Sequence, residues 1–151
     1  MPMTLNPSLK KLILWGNYFP AVDGSLIFYQ ELEVLDLSSN QVLKIPSRAF
    51  SSQRKLKELS LANNKISDIN HRTFAGLEKL KILKLERNVI KMITSRVFRS
   101  LRSLKELNLR GNEISEISER AFSGATDLTH LDLSETNWIL FQQKLSSTWR
   151  V

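Results

Sequence analysis

The chain has 151 residues, of which 42% are apolar and 25% charged, and it carries a formal net charge of +7 without a single cysteine. This balance predicts one globular domain, and no run approaches the ~20 apolar residues that a membrane-spanning helix needs. The absence of cysteine excludes a disulfide framework, a thiolate zinc site and a cysteine nucleophile.

The N-terminus MPMTLNPSLK lacks the three regions of a secretory signal peptide, and no asparagine lies in a glycosylation sequon. Neither observation assigns a compartment. Together with the missing cysteines, they leave open a natural chain, an engineered repeat scaffold or a segment excised from a larger protein.

One pattern, LxxLxLxxN, recurs along the chain. Its copies begin at residues 9, 32, 56, 80, 104 and 128, so the first step is 23 residues and the others are 24. The sixth copy ends in Thr136 instead of asparagine. Between copies, a pair of aliphatic residues precedes a phenylalanine: Val42, Ile45 and Phe50; Ile66, Ile69 and Phe74; Ile90, Ile93 and Phe98; Ile114, Ile117 and Phe122.

The alternation of leucine with polar residues is typical of a strand with one buried and one solvated face. Successive strands are far enough apart in sequence for parallel crossovers, whose inner side the aliphatic pair and phenylalanine would form. We therefore predict an α/β solenoid, a right-handed coil with a curved parallel sheet on its concave face and an irregular or short helical convex side.

The repeat resembles the leucine-rich repeat family over residues 9 to 136, and its 24-residue length with phenylalanine is similar to extracellular animal members such as Toll-like receptors and Slit proteins. The segment TLNPSLKKLILWGN looks like the passage that follows a cysteine-containing N-terminal cap in many of them. The resemblance implies a protein-binding ectodomain, and it favours an extracellular or cell-surface location.

The repeat register divides the chain. Residues 1–8 are expected to be the remnant of an N-terminal cap, and the repeats follow at 9–31, 32–55, 56–79, 80–103, 104–127 and 128–137, the last being partial. In residues 138–151, the apolar side chains Trp138, Phe141, Leu145 and Trp149 have helical spacing, which predicts a helical C-terminal cap. The asparagines from Asn17 to Asn112 are predicted to stack as a structural ladder.

The exposed strand face is the expected binding surface for a protein partner, because its side chains are not needed for packing and stand in a rigid grid. Five strand spacings of ~4.8 Å make this face roughly 24 Å across, which suits a protein loop or helix. The residues assigned to it are Lys11, Ile13, Trp15, Val34, Asp36, Glu58, Ser60, Ile82, Lys84, Glu86, Glu106, Asn108, Arg110, His130 and Asp132.

The basic segment 79–110 supports an alternative partner, a polyanion such as a heparin-like glycan or nucleic acid. It contains ten lysines and arginines against two glutamates, and Arg96, Arg99 and Arg102 are its candidate anion-binding residues. Residues 91–107, KMITSRVFRSLRSLKEL, have the pattern of a basic amphipathic helix when taken alone. The repeat register contradicts that helix, because it assigns Ile93 and Phe98 to one crossover and Leu104 and Leu107 to the next strand.

Nothing in the sequence predicts catalysis. The two histidines, His71 and His130, lie far apart, and the open strand face offers no pocket for a serine nucleophile with its base and oxyanion hole. We expect no enzyme activity, no catalytic residue, no metal site, no cofactor and no membrane insertion, and the sequence does not define an oligomeric state.

Overall fold

A computed structural model describes residues 5–136, which form a parallel-sheet solenoid of about five turns. The strands are β1 (Lys11–Ile13), β2 (Val34–Asp36), β3 (Glu58–Ser60), β4 (Ile82–Lys84), β5 (Met92–Ile93), β6 (Glu106–Asn108), β7 (Glu116–Ile117) and β8 (His130–Asp132). A 3-10 helix covers Gly24–Phe28. The predicted solenoid is confirmed, and the predicted C-terminal cap at 138–151 lies outside the described residues.

Six strands form the main sheet, in the order β1-β2-β3-β4-β6-β8, and every neighbouring pair is parallel. Corresponding leucines pair across it, as Leu35 does with Leu59 and Leu59 with Leu83. These leucines are fully buried, whereas the residues on either side of them in each strand face away from the core. The period of two in the sequence thus defines which side of the sheet is packed.

The crossovers supply the other side of the core. The aliphatic pair of each complete crossover is buried, and so are Phe50, Phe74 and Phe98. Phe98 stacks between Phe74 and Phe122, at ring-centroid distances of 6.0 and 5.6 Å. The convex side is irregular as predicted, with β5 and β7 pairing in a short second sheet.

Residues 91–107 do not form a helix. Their first residues lie in β5. Val97, Phe98 and Leu101 are buried in the crossover that follows, and β6 begins at Glu106. The apolar spacing that suggested an amphipathic helix therefore arises from two different parts of the repeat.

Buried asparagines join each repeat to the one before it. Asn88 shows the pattern: its amide nitrogen donates to the carbonyls of Leu61 and Leu85, each at 3.0 Å, and its Oδ1 accepts from the N–H of Ile66 at 3.0 Å. Asn40, Asn64 and Asn112 make equivalent bonds and are buried too. Asn17 is exposed and donates only to carbonyls of its own turn, so the ladder has four bridging members among the described residues.

The residue before each ladder position has a left-handed backbone. These residues are Gly16, Ser39, Asn63, Arg87, Gly111 and Glu135, with φ between 52° and 71°. The conformation lets the backbone turn off the sheet while the N–H still reaches the next repeat, as Arg87 does to the Arg110 carbonyl at 2.7 Å. Only two of the six positions are glycine, so the turn tolerates the cost of side chains there.

Two glycines allow close contact between neighbouring crossovers. Gly76 has φ +94°, and a Cβ on it would lie 2.8 Å from Cα of Ser51. Gly124 has φ +104°, and its Cβ would lie 2.6 Å from Cα of Arg99. The two glycines are 48 residues apart, so this contact recurs in every second repeat.

Gly76→Ala should destabilise the chain by about 1–3 kcal/mol or more, because the added methyl meets backbone atoms and the φ disfavours any side chain. The free energy of unfolding in urea measures the effect. Gly24→Ala is the matched control, since no atom lies within 4 Å of its Cβ position and its φ is not left-handed. Equal stability of the two variants would contradict the close contact.

Asn88→Ala should lower the free energy of unfolding by roughly 1–3 kcal/mol, since it leaves the buried Ile66 N–H without its acceptor and removes one of the two asparagine donors at each of the Leu61 and Leu85 carbonyls. Asn17→Ala should cost less than about 1 kcal/mol, because its bonds are exposed and within one turn. Thermal or urea denaturation of both variants compares them, and a loss at Asn17 as large as that at Asn88 would refute the bridging role.

Candidate binding surface

The concave face consists of three rows of side chains that cross the six strands of the main sheet. The pairing register aligns each row, because residues in neighbouring strands face one another directly. The first row is Lys11, Val34, Glu58, Ile82, Glu106 and His130. The second row is Ile13, Asp36, Ser60, Lys84, Asn108 and Asp132. The third row, just beyond the strands, is Trp15, Ser38, Ala62, Glu86, Arg110 and Ser134.

The accessibility of this face varies along the coil. Ile13 and Trp15 are 43% and 63% exposed at the first strand. Ser60 and Ala62 at the third strand are only 7% and 4% exposed, although they occupy equivalent register positions. Ser60, which the sequence assigns to the binding surface, therefore offers little area to a partner.

A further exposed aromatic residue follows the apolar end of the face in the chain. Ile13 and Trp15 are followed in the chain by Tyr18, which is 82% exposed, and Val34 is half-buried beside Lys11 in the first row. Tyr18 was missed because it lies after the ladder asparagine, outside the strand register. A second aromatic residue only three positions after Trp15 was the feature of the sequence that could have indicated it.

Lys84 occupies the middle of the face among carboxylates. Its Nζ donates to Oε1 of Glu58 at 3.0 Å. The hydrogen bond from Lys84 to Glu58 raises the pKa of this ammonium, and the charges of Glu58, Glu86 and Asp36 add to the effect against partial burial. Lys84 is therefore held in its charged form by acids from three different strands or turns.

Two aspartates of the face are fixed by serines two residues later. The hydroxyl of Ser38 donates to Oδ1 of Asp36 at 2.6 Å, and Ser134 donates to Asp132 at the same distance. Backbone N–H groups of the same serines also donate, at 2.9 Å. The hydrogen bonds from Ser134 lower the pKa of Asp132, and the charge of Arg110 contributes.

Arg110 is engaged at the edge of the face. Its guanidinium donates to Oε1 of Glu135 at 2.5 Å, and this hydrogen bond lowers the pKa of the Glu135 carboxyl. Glu86, one repeat earlier in the same row as Arg110, has a buried Oε2 that accepts no hydrogen bond from any described residue. The charge of Glu86 acts within the face, where it contributes to the raised pKa of Lys84.

The concave face is acidic within a basic chain. Its charged residues are three bases, Lys11, Lys84 and Arg110, and five acids, Asp36, Glu58, Glu86, Glu106 and Asp132. The face therefore carries two more negative than positive charges, whereas the whole chain carries +7. The structure brings together all the residues that the sequence assigned to this face.

A shallow hollow of about 470 Å³ lies over the last three strands of the main sheet. Its lining includes Lys84, Glu106, Asn108, His130 and Asp132. His130 is exposed, and its Nδ1 lies 3.0 Å from the hydroxyl of Thr129. The hollow belongs to the concave face and extends it toward the C-terminal end of the described residues.

The basic segment 79–110 is divided between two surfaces. Lys84 and Arg110 lie on the concave face, whereas Arg96, Arg99 and Arg102 are exposed on the crossovers and form no ion pair with any described residue. The sequence run therefore overstates the local positive charge at any one surface. These three arginines are therefore free to meet an anion.

Two features of other protein classes are absent from residues 5–136. No group of three metal-binding side chains occurs in this part of the chain. None of its helices is long and apolar enough to cross a membrane.

A family model described as leucine rich repeat matches residues 30–90 and 78–137, which together exceed half of the chain. The protein therefore belongs to the leucine-rich repeat family, as the resemblance implied. This family is typically a non-enzymatic binding scaffold whose members bind proteins or nucleic acids.

Solved structures agree with this membership. The chain is 30% identical to the Leptospira interrogans LRR protein LIC12759, with a TM-score of 0.76, over 85% of this chain and 32% of that one. It is 29% identical to a chain in the crystal structure of the TLR13-ssRNA13 complex, with a TM-score of 0.65, over 86% of this chain and 22% of that one. This chain thus spans less than a third of either relative. No curated protein matches the sequence.

Proposed function

We propose that the protein is a non-enzymatic interaction module, a receptor or adhesion type ectodomain segment that binds a protein ligand through its concave face. The observation that carries the proposal is the composition of that face: an exposed apolar end at Ile13 and Trp15 adjoins an acidic surface that the core does not need. Apolar anchors beside polar and charged groups are typical of protein interfaces.

The charge of the concave face supports a basic partner segment. Glu106 is exposed without an ion pair among the described residues, and the face as a whole carries two more negative than positive charges. Opposite charge speeds encounter and suppresses wrong partners, whereas apolar burial contributes most of the affinity. The ligand is therefore a protein element with lysine or arginine toward one end and an apolar side chain toward the other.

Rigidity of the scaffold also supports this proposal. The four inner strands of the main sheet, β2, β3, β4 and β6, are each held by a neighbour on both sides, and a buried asparagine fixes the turn that follows each of them. A preorganised face loses little conformational entropy on binding, so a modest contact area suffices for a specific complex.

A displayed random-peptide library provides the test of the concave face. Peptides selected on the wild-type protein should carry more lysine and arginine than aspartate and glutamate, together with an apolar residue. The double variant Trp15→Ala/Glu106→Lys should bind them at least about 30-fold more weakly, since a hot-spot aromatic contributes about 2 kcal/mol or more.

The matched control is Phe28→Ala/Glu119→Lys, which removes an exposed aromatic and reverses an exposed glutamate away from the concave face. It should bind the selected peptides like the wild type, and both variants should retain the wild-type melting temperature. An equal loss in the two variants, or no loss in either, would contradict the concave-face proposal.

We propose polyanion binding through the outer surface of residues 79–110 as a second candidate function. Arg96, Arg99 and Arg102 support it, because they are exposed and unpaired in the part of the chain that the structure describes. The similarity to a chain crystallised as the TLR13-ssRNA13 complex adds support for an anionic polymer as ligand.

A further inference from the structure

A second group of unpaired basic side chains lies outside both the concave face and the segment 91–110. Arg48, Arg54 and Lys79 line a hollow of about 600 Å³ between two neighbouring crossovers. All three are exposed, and none forms an ion pair with a described residue. We call these three residues the first basic cluster, and Arg96, Arg99 and Arg102 the second.

Other charges around the hollow leave it positive. Lys55 also lines it but is bound to Glu31 at 2.6 Å, and Glu78 is the one acid in its lining. Three free cations therefore face a single carboxylate. Because arginine donates two parallel hydrogen bonds to a sulfate or phosphate, a cluster of this kind favours an anion with several such groups.

The two basic clusters share two equivalent positions of the coil. Arg48 and Arg96 are 48 residues apart, and both have a left-handed backbone, with φ of 62° and 59°. Their N–H groups donate to the carbonyls of Arg72 and Arg120, at 3.0 and 2.9 Å. Two neighbouring repeats thus form one structural unit, which occurs twice.

The same offset relates other parts of the clusters. Arg54 corresponds to Arg102, and Gly76, which lines the first hollow, corresponds to Gly124, whereas Lys79 corresponds to Asp127 and Arg99 to Ser51. Both glycines lie against the backbone of the preceding crossover, at Ser51 and Arg99 respectively. The close contact permitted by glycine brings the two crossovers together beneath the arginines in each unit.

We infer that the two basic clusters form a single composite site for a linear sulfated polysaccharide of the heparin type, which lies along the outer side of the coil and contacts both clusters. This inference rests on the second proposed function and extends it to a site that begins at Arg48. Two strand spacings separate the clusters by ~10 Å at the sheet, so one extended chain with regularly spaced sulfates reaches both.

A sulfated sugar chain fits these surfaces better than a single-stranded nucleic acid. Sequence-tolerant binding of single strands uses aromatic side chains on which the bases stack. The exposed aromatics of residues 5–136 are Trp15, Tyr18 and Phe28, and none of them lines the hollow. The hollow instead offers cations with the small residues Ser51, Ala75 and Gly76 between them, which leaves room for a sugar ring.

Binding to immobilised heparin as a function of salt concentration tests the site. Three double variants of equal net charge are compared. Arg54→Gln/Lys79→Gln alters the first cluster, and Arg99→Gln/Arg102→Gln alters the second. Lys44→Gln/Lys65→Gln alters two exposed lysines outside both clusters. Arg48 and Arg96 are left unchanged because their backbone conformation is special.

The inference predicts that each cluster variant binds heparin about tenfold or more weakly and that the slope of log affinity against log salt falls by about two. The control variant should change both quantities much less. A heparin disaccharide, too short to reach both clusters, should bind weakly and compete poorly with the long chain. All variants should unfold at the wild-type temperature.

The outcomes separate the inference from the function on which it rests. If only the second-cluster variant loses affinity, polyanion binding stands and the composite site is refuted. If the two cluster variants behave like the control, both are refuted. If single-stranded RNA of equal charge binds as tightly as heparin and depends on the same residues, the sulfated-sugar assignment is overturned.

Discussion

Each repeat of this coil leaves buried peptide groups that only the adjacent repeat can satisfy. The buried N–H of Ile66 donates to Asn88 of the next repeat, and the buried carbonyls of Leu61 and Leu85 each accept from the asparagines of two successive repeats. The repeats must therefore stay in a fixed register, and that register places every strand residue of one repeat beside its counterpart in the next. The positions of the concave side chains follow from this requirement.

The buried part of the structure was predictable because it is repetitive and uses few residue types. The same three features recur in successive repeats: leucine in the strand, an aliphatic pair in the crossover and asparagine at the turn. Their regular spacing is therefore enough to predict the coil from the sequence. The left-handed turns were not predictable. Ser39, Arg87 and Glu135 share that backbone conformation with Gly16, and their side chains have nothing in common. Since the neighbouring repeats impose this backbone conformation, the residue type at the position does not reveal it.

The candidate site was predictable in its membership and less so in its properties. The register assigns Ser60 and Trp15 to the same face, but Ser60 lies in an inner strand and is 7% exposed, whereas Trp15 follows the edge strand β1 and is 63% exposed. Charge shows the same limit. Ten bases in residues 79–110 suggested one positive surface, yet the register sends Lys84 and Arg110 inward to acids contributed by other repeats. Ion pairs between residues 25 or 26 positions apart in the chain can be recognised only from the three-dimensional structure.

The separation of charge gives the two surfaces different physical behaviour. The concave face carries two excess negative charges, whereas the other residues of the described range 5–136 carry +7. A polyanion is attracted to the outer side and repelled from the concave face, so the two proposed ligands do not compete. They also respond differently to salt. Affinity that depends on apolar burial at Ile13 and Trp15 changes little with ionic strength, whereas affinity that depends on displaced counterions falls steeply. Ionic strength alone can therefore remove one ligand while the other remains bound.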